Sequence, residues 1–227
     1  MAPCEWRLSS RAFLCCTLRG TPSSMDDSTA ILNQEHARAA LARAWPTISR
    51  ECLAVLGSEL HYQAMIYFAL RTAGAVPVTQ LGMNVKQWIP DVQTDLFTKF
   101  DQAKHEAFRG GFEPIPDVVI FSPAVAGDWR RRQREKTLSS MLLAIEVKAS
   151  ERAGARLSRS ELERDVLKLA AHRGEVRARG HDFHPVMMVI DSAPAATERV
   201  TASVRESVET LARSVGVEWL YAAPDSQ

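Results

Sequence analysis

No stretch of the 227 residues approaches the ~20 consecutive apolar residues that a membrane span needs, so no membrane partner is expected. Cysteine is scarce. Cys4, Cys15, Cys16 and Cys52 form no CxxC pair, which argues against a disulfide framework or a zinc knuckle and makes a reducing cytoplasm the expected compartment. The chain lacks a GxSxG nucleophile elbow, a GxGxxG dinucleotide loop and a Walker-type phosphate loop, leaving a non-nuclease α/β enzyme without a positive feature. His172, His181 and His184 have no HxxxH spacing and read as loop and helix-end residues rather than metal ligands. Neither sign of charge is in excess, with 28 Lys plus Arg against 27 Asp plus Glu. Any binding to a polyanion must therefore come from local patches.

What is present reads as an ordinary globular chain. Apolar residues make up 46% and charged residues 24%, and the length suits one sizeable core. Residues 1–24 read as an N-terminal extension. There Arg7, Arg11 and Arg19 surround the apolar run Ala12–Cys16, superficially like a signal peptide, but the run is too short and no small-residue cleavage site follows. Met25 is an alternative start, and residues 25–227 read as one domain.

Apolar spacing predicts a helix from Asp27 to Trp45 ending at Pro46, a second from about Thr47 to Leu56, and a stronger one from Glu59 to Ala73 capped by Ser58. In that helix Glu59, Gln63 and Ile66 share a stripe. Val76–Val85 reads as a strand or hairpin and Asp95–Phe108 as a helix. After Pro116, Asp117–Phe121 reads as a buried strand closed by Ser122-Pro123. A polar, Arg-rich connection from Gly127 to Ser139 leads to the apolar strand Met141–Ala149. Ser160 with Glu163 predicts a capping box for a helix running to about Arg179. Val186–Ile190, Thr197–Val215 and Val217–Tyr221 follow as strand, helix and strand. The order predicts an α/β fold with a mixed sheet.

One strand holds an anomaly. In Met141–Ala149 the only charges are Glu146 and Lys148, and positions i and i+2 of a strand share a face. Were the Asp117 strand to pair with it, two carboxylates and a lysine would converge at the sheet edge. Such a cluster suits Mg²⁺, which takes one or two carboxylates and keeps waters for a substrate phosphate.

Pro116-Asp117 followed by Glu146-Val147-Lys148 resembles the PD-(D/E)XK nuclease superfamily, over about residues 58–191. The resemblance implies a restriction-endonuclease-like core with extra N-terminal helices, and Mg²⁺-dependent hydrolysis of phosphodiester bonds, in DNA, with Mn²⁺ able to substitute. It implies Asp117 and Glu146 as metal ligands, Lys148 as the water-orienting or charge-stabilising partner, and Glu59, from the first core helix, as a further acid of the metal site. Many members dimerise, so a homodimer is compatible. The glutamine-and-tyrosine helix signature of the RecB-like branch is missing after Lys148, and no subfamily is assigned.

Plainer readings exist for each residue. Glu146 and Lys148 could be a solvated pair on an edge strand, Asp117 a turn residue after proline, and Glu59 a first-turn acid favourable to the helix dipole, with Glu51 as its competitor. Ile89-Pro90-Asp91 repeats the tripeptide, but no apolar strand follows it. Arg130, Arg131, Arg132 and Arg134 form a basic run, and Lys168, Arg173, Arg177 and Arg179 a second strip; both are candidate phosphate contacts or simply solvated surface. The alternative function is a catalytically inactive module of this fold that binds nucleic acid or a protein partner.

Overall fold

The computed structural model describes residues 30–151 and 154–224. The proposed extension 1–24, with three of the cysteines, lies outside them. Helices α1 (Gln34–Leu53) and α2 (Glu59–Thr72) come first, followed by β1 (Leu81–Met83), β2 (Ile89–Pro90), α3 (Asp95–Gln102), β3 (Gly111–Phe112) and β4 (Val118–Phe121). Then come α4 (Arg134–Ser140), β5 (Met141–Ala149), α5 (Arg159–Ala178), β6 (His184–Ile190), α6 (Ala202–Ser214) and β7 (Glu218–Ala222).

Five strands make one mixed sheet in the order β1-β4-β5-β6-β7, antiparallel from β1 to β5 and parallel from β5 to β7. β2 and β3 form a separate antiparallel ribbon. Period two in β5 explains the layering. From Leu143 onward, Leu143, Ile145, Val147 and Ala149 face the core made with α1 and α2, while Ala144 points to the other side with Phe97, Val176 and Phe183; a bulge opposite Ile120 and Phe121 breaks the alternation and turns Met141 to that side too. Further along the sheet, Met187 and Val189 of β6 meet Leu162, Val166 and Leu169 of α5 and Val208 and Ala212 of α6. The expected α/β class with a mixed sheet flanked by helices is what the chain forms.

Several element boundaries differ from the sequence reading. Pro46 does not end a helix: α1 runs through it, although an interior proline removes one backbone hydrogen bond. Ala40, Leu41, Ala44, Ile48 and Cys52 are all buried, so one apolar stripe spans the proline and holds both halves on the sheet. The capping box is Ser158 with Glu161, whose carboxylate also accepts from the Ser158 backbone N–H. The S-x-x-E pattern occurs twice within three residues, and the earlier copy won. The arginine-rich connection contains α4, anchored by buried Leu138. The helix from Asp95 stops at Gln102, and α6 begins at Ala202, capped by the Thr201 hydroxyl.

Candidate functional site

Pairing between β4 and β5 sets Val118 opposite Ile145 and stops there. Beyond that point the β4-side edge of β5 has no strand partner, and a backbone N–H left unpaired in a buried place is costly. The Asp117 carboxylate fills that role: its Oδ2 accepts from the Val147 N–H at 2.6 Å. One residue before β4, Asp117 is thereby fixed against the peptide between Glu146 and Lys148. Its other oxygen, Oδ1, accepts from Gln63 Nε2 at 2.7 Å, and Gln63 Oε1 accepts from Asn84 Nδ2 at 3.0 Å. The Asn84 backbone N–H in turn reaches the Asp117 carbonyl at 3.0 Å.

Lys148 extends past the end of β4 to the N-terminal turn of α2. Its Nζ donates to both oxygens of Glu59, at 3.0 and 3.2 Å, and lies 3.4 Å from Asp165 Oδ2 of α5. α2 is aligned there by two caps on its first turn: the Ser58 hydroxyl accepts from the His61 N–H, and the Glu151 carboxylate accepts from the Glu59 N–H. Across the cluster, Lys168 Nζ donates to Asp165 Oδ1 at 2.8 Å and sits 3.9 Å from Glu146 Oε1.

Burial dominates the electrostatics. It pushes the Glu146 carboxyl well above the usual range, and the negative charges of Asp117 and Asp165 push it further, against the opposing pull of Lys168 and Lys148. Asp117 is raised too, by burial first and by Glu59 in addition; its bond from Val147 and the two lysines oppose this. Lys148 moves the other way from most half-buried amines. Burial alone would lower it, but the bond to Glu59 and the fields of Asp165, Glu59 and Glu146 together hold its pKa above the ordinary value. It is a cation at neutral pH.

Asp117, Glu146 and Lys148, singled out from the sequence, are therefore brought together. Glu59 arrives as well, but bonded to Lys148 instead of standing with the two carboxylates. Among the described residues no group of three or more His, Cys, Asp or Glu side chains gathers as an ion cage. Glu51, the competing acid, lies on α1 beside Arg50 at 3.3 Å. Asp91 sits in a left-handed turn, φ 48°, at the end of the separate ribbon.

Lys168 is not part of a free basic strip, since its ammonium belongs to the cluster. Arg173 and Arg177 both bind Asp182, and Arg179 binds the buried Glu175. Arg130 is held by Asp128 in a two-pronged pair at 2.7 and 2.6 Å, and Arg131 by Glu113 at 2.7 Å. Arg132 and Arg134 are exposed.

Sequence reasoning missed Gln63, Asn84 and Asp165. A signal existed for two of them. Gln63 lies one turn after Glu59 on the same stripe, and Asp165 interrupts the apolar stripe Leu162, Val166, Leu169, where an acid must find a partner. Asn84 gave none, because its role depends on a left-handed turn, φ 52°, after β1.

Two clefts flank the cluster. One, of about 180 Å³, is lined by Lys148, Glu59, Ser150, Glu151, Arg156 and Arg164 among others. The other, of about 220 Å³, includes Glu146, Lys168, Phe112 and Ile115. Among the described residues no helix is long and apolar enough to cross a membrane. No family model, no curated protein and no solved structure matches the chain.

Proposed function

We propose that this protein is a divalent-metal-dependent nuclease of the PD-(D/E)XK type that hydrolyses phosphodiester bonds in DNA. The observation that carries the reading is the meeting of Asp117 and Glu146 on one buried sheet edge, each carboxyl raised by burial, with a charged lysine two residues along the same strand. Two acids in that condition are short of a cation. The cluster comprises the carboxylates of Glu59, Asp117, Glu146 and Asp165 against the ammonium groups of Lys148 and Lys168, a formal balance of −2. Arg164 stands 4.0 Å from Asp165 on the exposed side.

The donor set fits Mg²⁺ or Mn²⁺. Asp117 and Glu146 would hold the ion, and two carboxylates leave positions for water and a phosphate oxygen, the arrangement magnesium prefers. When bound, such an ion lowers the pKa of a coordinated water and offsets charge on the phosphate. The chain's own residues do the rest. Asp117 keeps the Glu146–Lys148 segment in place through Val147. Lys148, held protonated by Glu59 and Asp165, is a donor that neutralises charge building on the phosphate rather than a base that removes a proton. Lys168 partly balances Glu146 and so keeps two acids together before the metal arrives.

The test is incubation of purified protein with plasmid DNA and Mg²⁺ or Mn²⁺, beside Asp117→Ala and Lys148→Ala. Metal-dependent nicking by the wild type and its loss in both variants is the expected result. Equal nicking by all three proteins overturns the reading, and salt-sensitive DNA binding without metal or cleavage turns it into the inactive-module reading.

A further inference from the structure

The cleft of about 220 Å³ beside Glu146 has a character that metal-dependent hydrolysis does not require. Its lining is mostly apolar. Phe112, Ile115, Pro116 and Leu169 stand around it, and Phe97 and His172, 1% and 2% exposed, lie deepest. The Phe97 and Phe112 rings are 4.4 Å apart, forming an aromatic wall. Pro114 and Pro116 fix the backbone of the opposite rim, and the Pro114 carbonyl accepts from the Gln87 N–H at 3.1 Å. Arg131 clasps Glu113 at that rim. The cleft is thus formed in advance.

Two polar features mark it as a binding site and not merely a packing gap. Glu146 and Lys168 belong both to the cleft and to the carboxylate–lysine cluster, so an occupant would lie directly beside a phosphate bound at that cluster. His172 Nε2 is buried and has no hydrogen-bond partner, although a buried polar atom normally finds one. The ring lies against Phe183, with 5.1 Å between centroids.

Size narrows the class. An apolar cavity of about 150 Å³ admits benzene, so this cleft is on the scale of one larger planar ring system. A nucleobase is planar, stacks on aromatic side chains and carries a hydrogen-bonding edge. Within a duplex that edge and both faces are occupied, so only an unpaired or extruded base can enter.

We propose that this cleft receives one unstacked nucleobase adjoining the scissile phosphate, which makes single-stranded or locally opened DNA the preferred substrate. The inference rests on the nuclease reading and specifies its substrate.

The experiment titrates the full chain, in EDTA, with a short single-stranded DNA oligonucleotide, an otherwise identical strand with abasic positions, and a blunt duplex of the same sequence. Phe112→Ala and Ile115→Glu are run beside the wild type. Ile115 is 42% exposed, so its substitution leaves the fold intact even where loss of Phe112 does not; thermal midpoints verify this. The intact single strand is expected to bind about tenfold more tightly than the abasic strand or the duplex, and Ile115→Glu to erase that margin. Equal affinity for intact and abasic strands, or a folded Ile115→Glu that binds as the wild type does, overturns the subsite. Cleavage assays with Mg²⁺ separate the two claims. Base-dependent binding without cleavage removes the nuclease reading and leaves the subsite; cleavage without base dependence does the reverse.

Discussion

Asp117 and Val147 are 30 positions apart in the chain, yet one oxygen of the Asp117 carboxylate caps the Val147 backbone N–H at 2.6 Å. The contact is structural and chemical at once. It satisfies a strand edge that β4 is too short to cover, and it places one acid beside the peptide that joins Glu146 to Lys148.

Asp117→Asn separates those two roles. The amide oxygen can still accept from Val147, and the amide nitrogen can face Gln63 once the exposed Asn84 adjusts. The folded protein also loses one of two acids that repel each other. Stability without metal is therefore expected to stay within about 1 kcal/mol of the wild type or to rise. Cleavage should fall at least about 100-fold, because an ion contributes several kcal/mol of charge stabilisation and each 1.36 kcal/mol is a decade in rate. Chemical denaturation beside a plasmid-nicking assay checks both. Unfolding of the variant would show that the capping role dominates.

Glu59→Gln distinguishes a ligand from a positioning residue. The resemblance implies that Glu59 completes the metal site, whereas the structure bonds it to Lys148 at 3.0 and 3.2 Å. Glutamine keeps one acceptor for Lys148 but removes the charge. Mn²⁺ affinity, measured by calorimetry, is expected to remain within about threefold of the wild type, while turnover falls roughly tenfold, the scale of a lost supporting contact. A parallel loss of Mn²⁺ affinity would restore Glu59 to the metal.

The sheet and the Asp117–Glu146–Lys148 core were legible because they depend on short-range rules. Alternation in β5 sorts Glu146 and Lys148 from Ile145 and Val147, and a proline-led apolar strand is hard to mistake. Glu59 was legible as a member, but its bond to Lys148 was not, since that contact depends on where α2 ends up over the sheet. Asn84 depends on a turn, and Pro46 on burial over two helical turns, which local propensity for helix breaking does not register. The cleft was invisible for the same reason. Phe97, Phe112 and His172 come from three separate elements, and only packing brings them together.

His172 gives the fold a pH dependence. Burial lowers its pKa from 6.5 to about 3, only partly opposed by Glu175. Well above pH 6.5 the ring is neutral whether the chain is folded or not, and it contributes no slope. Below that the unfolded chain binds a proton that the folded one refuses, so stability falls as pH drops toward 3. At pH 5 the loss amounts to about 1–2 kcal/mol. His172→Phe should flatten this part of the curve, so its urea midpoint should rise relative to that of the wild type from pH 7 to pH 4. Parallel curves would show that His172 is protonated in the folded state.

Arg132 and Arg134 differ from their neighbours in what they are free to do. Arg130 is committed to Asp128 and Arg131 to Glu113, so neither guanidinium reaches a phosphate without giving up a pair. The exposed Arg132 and Arg134 have no such competitor and are the arginines of this run available to a DNA backbone. Each phosphate contact adds about 0.7 to the slope of log affinity against log salt for a single strand, and about 0.9 for a duplex. Replacing both with alanine is expected to lower the magnitude of that slope by roughly 1.4 on single strands, whereas Arg130→Ala leaves it nearly unchanged. Anisotropy titrations over a range of KCl concentrations measure both slopes. An equal reduction in the Arg130→Ala protein would mean that Asp128 releases its partner to the nucleic acid, and that the whole run behaves as one patch.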